Sequence, residues 1–300
     1  MAEETLISWA DMTFNPWIGC TRISPACDGC YAAHLMETRM GRAQWGGPGK
    51  GAGTRERTSA ANWRKPLAWD KKAKAEGRRP FVFCSSLADV FDNEVDHEWR
   101  ADLFALIHDT PNLVWLLLTK RPQNIVKMFD AISHVRDAWP RNAAIGTTVE
   151  DQKRADANLP ALKVAKIELN PAFTFGSFEP LLGPVIVPPR MMPDWVITGG
   201  ETDQGAHKAR PTHPDWFRSL RRQALDAGSA FHHKQNGEWL PWIPMNGNPD
   251  RKPIMHVMQD GSEYYPGNPS SLQSMIKVGK HQSGRALDGI TLDAFPEVRR

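Results

Sequence analysis

A chain of 300 residues with 41% hydrophobic and 24% charged residues has the profile of a globular protein, long enough for one large α/β domain or two small ones. No apolar run approaches the roughly 20 residues that span a bilayer, and the opening MAEETLISW is acidic where a signal peptide is basic, so a cytoplasmic protein with no membrane partner is expected. The net charge of +3, from 37 basic and 34 acidic residues, is too mild to imply nucleic-acid binding by itself.

The first informative stretch is NPWIGCTRISPACDGCYAAHL, which carries Cys20, Cys27 and Cys30 within eleven positions. In a cytosolic chain such a cluster points to metal binding or redox work, not to a disulfide. Pro16, Gly19, Pro25 and Gly29 suit a tight wrapping loop, and a helix is expected from about Tyr31 to Arg42. Iron–sulfur clusters normally take four thiolates, and structural zinc also takes four ligands. Three local cysteines therefore leave one position open or filled from elsewhere. An open iron of a 4Fe-4S cluster suits S-adenosylmethionine (SAM), whose amino and carboxylate groups can chelate it. A reduced cluster can then pass one electron to the sulfonium and release a 5′-deoxyadenosyl radical. Two alternatives stay open. His34 lies four residues after Cys30 and could complete a Cys3His zinc knuckle in a nucleic-acid-binding or processing partner protein without SAM chemistry. Cys84 could supply a fourth thiolate, or could be a small buried hydrophobe at a strand end.

The stretch GGPGKGAG (46–53) fails as a phosphate loop, because Gly51 follows Lys50 and no apolar strand precedes it. Residues 50–79 gather ten basic side chains against Glu56, Asp70 and Glu76, with Trp63 and Trp69 interleaved. That pattern reads as a solvated surface excursion or as a surface that holds a phosphate backbone and stacks on bases. Short apolar runs then recur: 81–85, 113–119, 143–149, 173–178, 195–200 and 229–234. Each is too short for a buried helix. Helical patterns fall at 97–109, 122–133, 150–159 and 214–227, whereas the five prolines of 179–194 exclude an ordinary crossover helix. His97, His108 and His134 read as helix-surface residues. His232 and His233, adjacent on a strand, are expected to face opposite ways. Strand–helix alternation predicts an α/β fold with a parallel sheet, either a barrel or partial barrel or a doubly wound open sheet. Polar residues follow the strands: Ser85, Ser86 and Asp89; Thr119, Lys120 and Arg121; Thr148, Glu150 and Asp151; Ser177 and Glu179; Gly199, Gly200 and Glu201; Lys234 and Gln235. The carboxyl ends of parallel strands form the site face of such folds. Residues 236–300, rich in Pro, Gly and Asn, read as an irregular C-terminal extension packed on a main domain of 1–235.

Phe14-Asn15-Pro16, Gly19-Cys20 and Cys27-Asp28-Gly29-Cys30-Tyr31-Ala32 resemble the phage and prophage three-cysteine-motif proteins, a radical-SAM-like family. The likeness continues through LLTKRP (117–122), GTTVEDQ (146–152), FEPLLGP (178–184), WVITGGET (195–202), KQNGEW (234–239) and GRALDGITLDAFP (284–296). The resemblance implies a partial (β/α)6-type barrel with the cluster loop after a first strand at about Thr13–Ile18. It implies Cys20, Cys27 and Cys30 as ligands of a 4Fe-4S cluster, SAM as second cofactor, and an electron donor as partner. Gly199-Gly200-Glu201 is the one element like the glycine-rich SAM-binding motif of that superfamily, and Ser85 or Ser86 could serve instead. On this reading Thr148 joins the SAM contacts. Glu150, Glu179 and Glu201 contact SAM ribose or substrate. Lys120, Arg121, Lys234 and Gln235 take an anionic substrate group or SAM's carboxylate. The family context and the basic 50–79 segment make a nucleotide or nucleic acid the expected substrate.

Overall fold

The computed structural model describes residues 5–133, 139–243, 247–248, 250–262 and 271–298; His134 lies outside them. Seven strands form one sheet and follow one another in chain order: β1 (Met12–Phe14), β2 (Phe81–Cys84), β3 (Val114–Thr119), β4 (Ala143–Thr148), β5 (Thr174–Phe178), β6 (Trp195–Gly199) and β7 (Ala230–Gln235). The β1–β2, β2–β3, β3–β4 and β6–β7 pairings are parallel. A doubly wound sheet reverses its strand order at a switch point. Here no reversal occurs: each strand of the sheet lies beside its predecessor in the chain. The fold is therefore a partial α/β barrel, which resolves the choice the periodicity left open. All six apolar runs form strands of this sheet.

Five helices matter for the argument: α1 (Lys65–Glu76), α2 (His97–His108), α3 (Ile125–Asp130), α4 (Gln152–Leu169) and α5 (Pro214–Asp226). α4 runs well past the expected 159 and contains Pro160. Ala155, Leu159, Leu162, Ala165 and Leu169 are all buried along it, and that stripe outweighs the proline's missing hydrogen bond. α1 lies inside the basic segment read as a surface excursion. It buries Pro66, Trp69 and Ala73 and turns Lys71, Lys72 and Lys74 outward. Its proline in the first turn and its terminal Gly77 were the available start and stop signals.

The strand expected at Thr13–Ile18 is split. Met12–Phe14 joins the sheet, whereas Trp17–Ile18 pairs antiparallel with Glu56–Arg57. Pro16 lies between them and cannot donate to a ladder. The helix after Cys30 is one α-helical turn, Tyr31–Ala33, that continues as a π-helical stretch, His34–Arg39. The C-terminal extension carries a small antiparallel sheet of β8 (Trp239–Pro241), β9 (Ile254–Met258) and β10 (Leu272–Lys277), with β10 in the middle. Its strands are mostly half-exposed, so apolar alternation was too weak to announce it.

The chain clusters into two compact units, one of Met1–Thr148, Asn158–Phe175 and Glu297–Arg300 and one of Val149–Ala157 and Gly176–Pro296. Among the described residues no helix is long and apolar enough to cross a membrane.

Candidate functional site

The cysteine segment is held by backbone geometry before any metal is considered. Asn15 Oδ1 accepts from the Leu87 amide at 2.7 Å, and its Nδ2 donates to Ser86 Oγ at 3.0 Å. The Gly19 amide donates to the Leu87 carbonyl at 3.1 Å. The loop after β1 is thus stitched to the loop after β2. Gly19 has φ +105°, and a Cβ there would lie 2.1 Å from the Thr54 carbonyl oxygen. Only glycine fits immediately before Cys20. Cys27 ends a short 3₁₀ turn, Pro25–Cys27, and Cys30 caps the following helix, its Sγ accepting from the Ala33 amide at 3.5 Å.

Cys20, Cys27 and Cys30 border one cavity of about 120 Å³. The same cavity is lined by Ser85, Ser86, Lys120, Arg121 and Thr148, the polar ends of β2, β3 and β4. With Asp89 and Thr119, which also line it, the cavity brings together ten of the residues singled out from sequence. Ser85 holds φ +65°, a left-handed conformation unusual for a residue with a side chain, at the edge of this cavity.

Behind the thiols lies a buried charge network. Asp89 accepts from Thr119 Oγ1 at 2.7 Å, the Phe91 amide at 2.9 Å, Arg121 Nη1 at 3.0 Å and the Lys120 amide at 3.1 Å. Arg121 also donates to Cys20 Sγ at 3.5 Å and to the Thr21 carbonyl at 2.8 Å. Asp92 pairs with Arg55 at 2.5 Å, and Arg55 reaches Thr21 Oγ1 at 2.8 Å. Two guanidinium groups thus grip the residue next to Cys20. Burial, aided by Asp89, pushes the Cys20 thiol up to about 12, against the opposing pull of Arg121. A metal-bound thiol is deprotonated outright, and the Arg121 N–H then faces a thiolate.

Among the described residues, no group of three or more His, Cys, Asp or Glu side chains is set to hold a single metal ion. A four-iron cluster makes a different demand, because each cysteine takes its own iron. Three thiols around one cavity, with N–H donors on Cys20 and Cys30, fit that demand. His34 lies in the π-helical stretch and is not among the residues lining the cavity. Cys84 is fully buried, and burial pushes its thiol up to about 12. It too is not among the lining residues.

A second set of residues assembles within the other unit. Both Glu179 carboxylate oxygens accept from Lys234 Nζ at 2.8 Å, and Oε1 also accepts from Gln235 Nε2 at 2.8 Å. Gly199 and Gly200 close this cluster. A Cβ on Gly199 would meet Glu179 Oε1 at 2.7 Å, and one on Gly200 would meet the Asn236 carbonyl at 2.2 Å. Gln235 also donates to the Gly200 carbonyl at 3.2 Å. Glu201 stands differently: Arg210 donates to both its oxygens, His207 lies 3.0 Å away, and its carboxyl sits below the usual range. Glu150 is buried, 3.7 Å from Arg154, and its carbonyl accepts from the Leu182 amide at 2.7 Å.

His232 and His233 do face opposite ways, and both faces are covered. His232 packs edge-on against Trp195 and Phe295, while His233 packs against Phe217 of α5. His233 is held between Thr198 Oγ1 at 2.9 Å and Asn236 Oδ1 at 3.1 Å. Burial lowers both from 6.5 to about 4. Below pH 6.5 the unfolded chain takes up protons that the folded histidines refuse until about pH 4. Their stabilisation is thus complete above pH 6.5 and is lost as the pH falls through that window, by up to about 3 kcal/mol each. Urea unfolding at pH 7.5 and pH 5.0 checks this. Equal stabilities at the two values, or an unchanged pH slope in His233→Gln, would refute it.

Within the basic segment, Trp69 is core and Trp63 lies under the Arg57 guanidinium, 4.4 Å from its ring centroid. Trp69 is therefore not available as a stacking platform. Lys74, Arg78, Arg79 and Arg141 line a groove of about 1230 Å³ that also holds Glu168.

A family model matches residues 4–296 of the sequence. The chain belongs to the family described as protein of unknown function (DUF5131). No curated protein matches it in sequence. Among solved structures, it is similar to a spore photoproduct lyase double mutant with bound AdoMet and dinucleoside spore photoproduct, at 8% identity and TM-score 0.46. It is also similar to spore photoproduct lyase complexed with dinucleoside spore photoproduct, at 7% identity and TM-score 0.43. Each match covers 92% of this chain and 71% of the other.

Three site residues were missed in the sequence, two of them without any local signal. Arg55 and Asp92 lie 37 positions apart, and nothing local announces their pairing. Asn15 stood in the quoted motif without a role; an Asn before Pro at the end of a strand was the available hint of a loop-pinning side chain.

Proposed function

We propose that this protein is a radical SAM enzyme whose 4Fe-4S cluster is held by Cys20, Cys27 and Cys30. The observation that carries the reading is the single cavity bordered by all three thiols and by the polar ends of three adjacent parallel strands. Bound there, the cluster would supply one electron to the sulfonium of SAM and so release a 5′-deoxyadenosyl radical. The chain's own residues do the rest. Asn15 and Gly19 fix the loop, and Arg121 and the Ala33 amide offer N–H groups to Cys20 and Cys30. Ser85, Ser86 and Thr148 offer hydroxyls to SAM, and Lys120 brings a cation to the same cavity. Within the other unit, the Glu179–Lys234–Gln235 cluster with Gly199 and Gly200 is proposed, by itself, as a polar site for an anionic or hydroxyl-bearing group. The saturation of Glu201 by Arg210 favours a supporting role for it over direct contact. The proposed substrate is a nucleotide or nucleic acid, supported by Lys120 at the cavity and by Lys74, Arg78 and Arg79 of the basic segment.

The test is anaerobic reconstitution. A brown protein with about four irons per chain that releases 5′-deoxyadenosine from SAM under dithionite supports the reading. One tightly held zinc and no SAM cleavage would sink it, and a Cys30→Ala variant that keeps full iron and cleavage would remove the ligand assignment.

A further inference from the structure

We infer that Arg121 is a positioning residue that sets the redox poise of the cluster through its hydrogen bond to Cys20 Sγ. The inference rests on the radical SAM reading above. Arg121 is nine-tenths buried and fully tied down: Nη1 is shared between Asp89 and Cys20 Sγ, and Nη2 donates to the Thr21 carbonyl. Around it, Asp89 and Asp92 face Arg121 and Arg55, and buried Arg100 donates to the Asp92 carbonyl, so two carboxylates offset two of three guanidinium charges. Of these groups Arg121 aims an N–H at a ligand sulfur, from a guanidinium that never loses its proton.

Reduction adds one electron, drawn from a low-potential donor, to a cluster already carrying anionic thiolates. The added charge falls partly on the sulfurs, so a charge-assisted N–H···S bond is stronger in the reduced state. Hydrogen bonds to the sulfurs and local charge are among the levers that set iron–sulfur potentials. Arg121 therefore makes the cluster easier to reduce. Lysine cannot reproduce the arrangement, because its compact ammonium lacks the fork that spans Asp89, Thr21 and the sulfur together.

The experiment is an EPR-monitored dithionite titration of reconstituted protein, with iron counted on the same samples. Two variants are used: Arg121→Lys, which keeps a partner for Asp89, and the double variant Asp89→Asn with Arg121→Met, which leaves no buried charge unpaired at that pair. With iron content unchanged, the reduced-to-oxidised ratio at a fixed potential should fall at least tenfold, a 59 mV shift for one electron. A ratio within threefold of wild type in either iron-loaded variant overturns the inference. So does failure of both variants to hold iron when wild type holds it, since Arg121 would then be needed for assembly and not for poise. Wild-type protein that takes up no iron overturns the radical SAM reading itself, which separates the two failures.

Discussion

Asp89→Ala should destabilise the protein by about 3–5 kcal/mol, the range for breaking a buried charge pair by removing one partner. Asp89 is buried and accepts four hydrogen bonds, two from backbone amides and two from side chains. Its removal leaves Arg121 buried without its nearest counter-charge, because Asp92 lies at 3.8 Å and is already engaged by Arg55. The Phe91 and Lys120 amides also lose their acceptor, at about 1–3 kcal/mol for each that water cannot reach. Asp89→Asn keeps the shape and one carbonyl acceptor, so it should cost visibly less. Urea denaturation of the metal-free protein reads both. A loss below about 1 kcal/mol for the alanine variant would mean that the network is not a structural hub.

Gly19→Ala should abolish iron loading at the proposed cluster site. The new Cβ falls 2.1 Å from the Thr54 carbonyl oxygen, and the backbone at φ +105° resists any L side chain. Either the cysteine loop moves away from the Thr54–Arg55 segment or that segment moves away from the loop. Both displace Cys20, because Arg55 and Arg121 hold Thr21 beside it. Gly41→Ala is the control. It also has positive φ, but a Cβ there meets nothing within 4 Å, so its cost should stay near 1 kcal/mol with iron retained. Full iron content in Gly19→Ala would show that the cysteine loop does not depend on this close approach.

Strands β2 to β7 were legible because each is a short apolar run, with Leu116, Leu117 and Ile145 fully buried. The barrel order was not, since periodicity reports what a segment is and not which neighbour it joins. The cysteines were legible as a cluster for the same local reason. Their surroundings were not: Arg55, Asp92 and Arg121 meet across 37 and 29 positions, and a buried arginine in sequence looks like any exposed one. The failures with helices have local causes. α1 hid among lysines because only Pro66, Trp69 and Ala73 face inward. Pro160 made α4 look shorter than it is, since the stripe from Ala155 to Leu169 continues through it.

The stitching of the cysteine loop to distant strands also fixes when the pocket can exist. Cys30 leaves the ribosome about 120 residues before Thr148, the last residue to line the cavity. At 5–20 residues per second that interval is roughly 6–24 s. For about the first 90 of those residues the nascent thiols lack Arg121, and for all of them they lack the complete β4. On the proposed reading, cluster insertion therefore belongs after the first four strands have closed, because only then is the cavity around the three thiols complete.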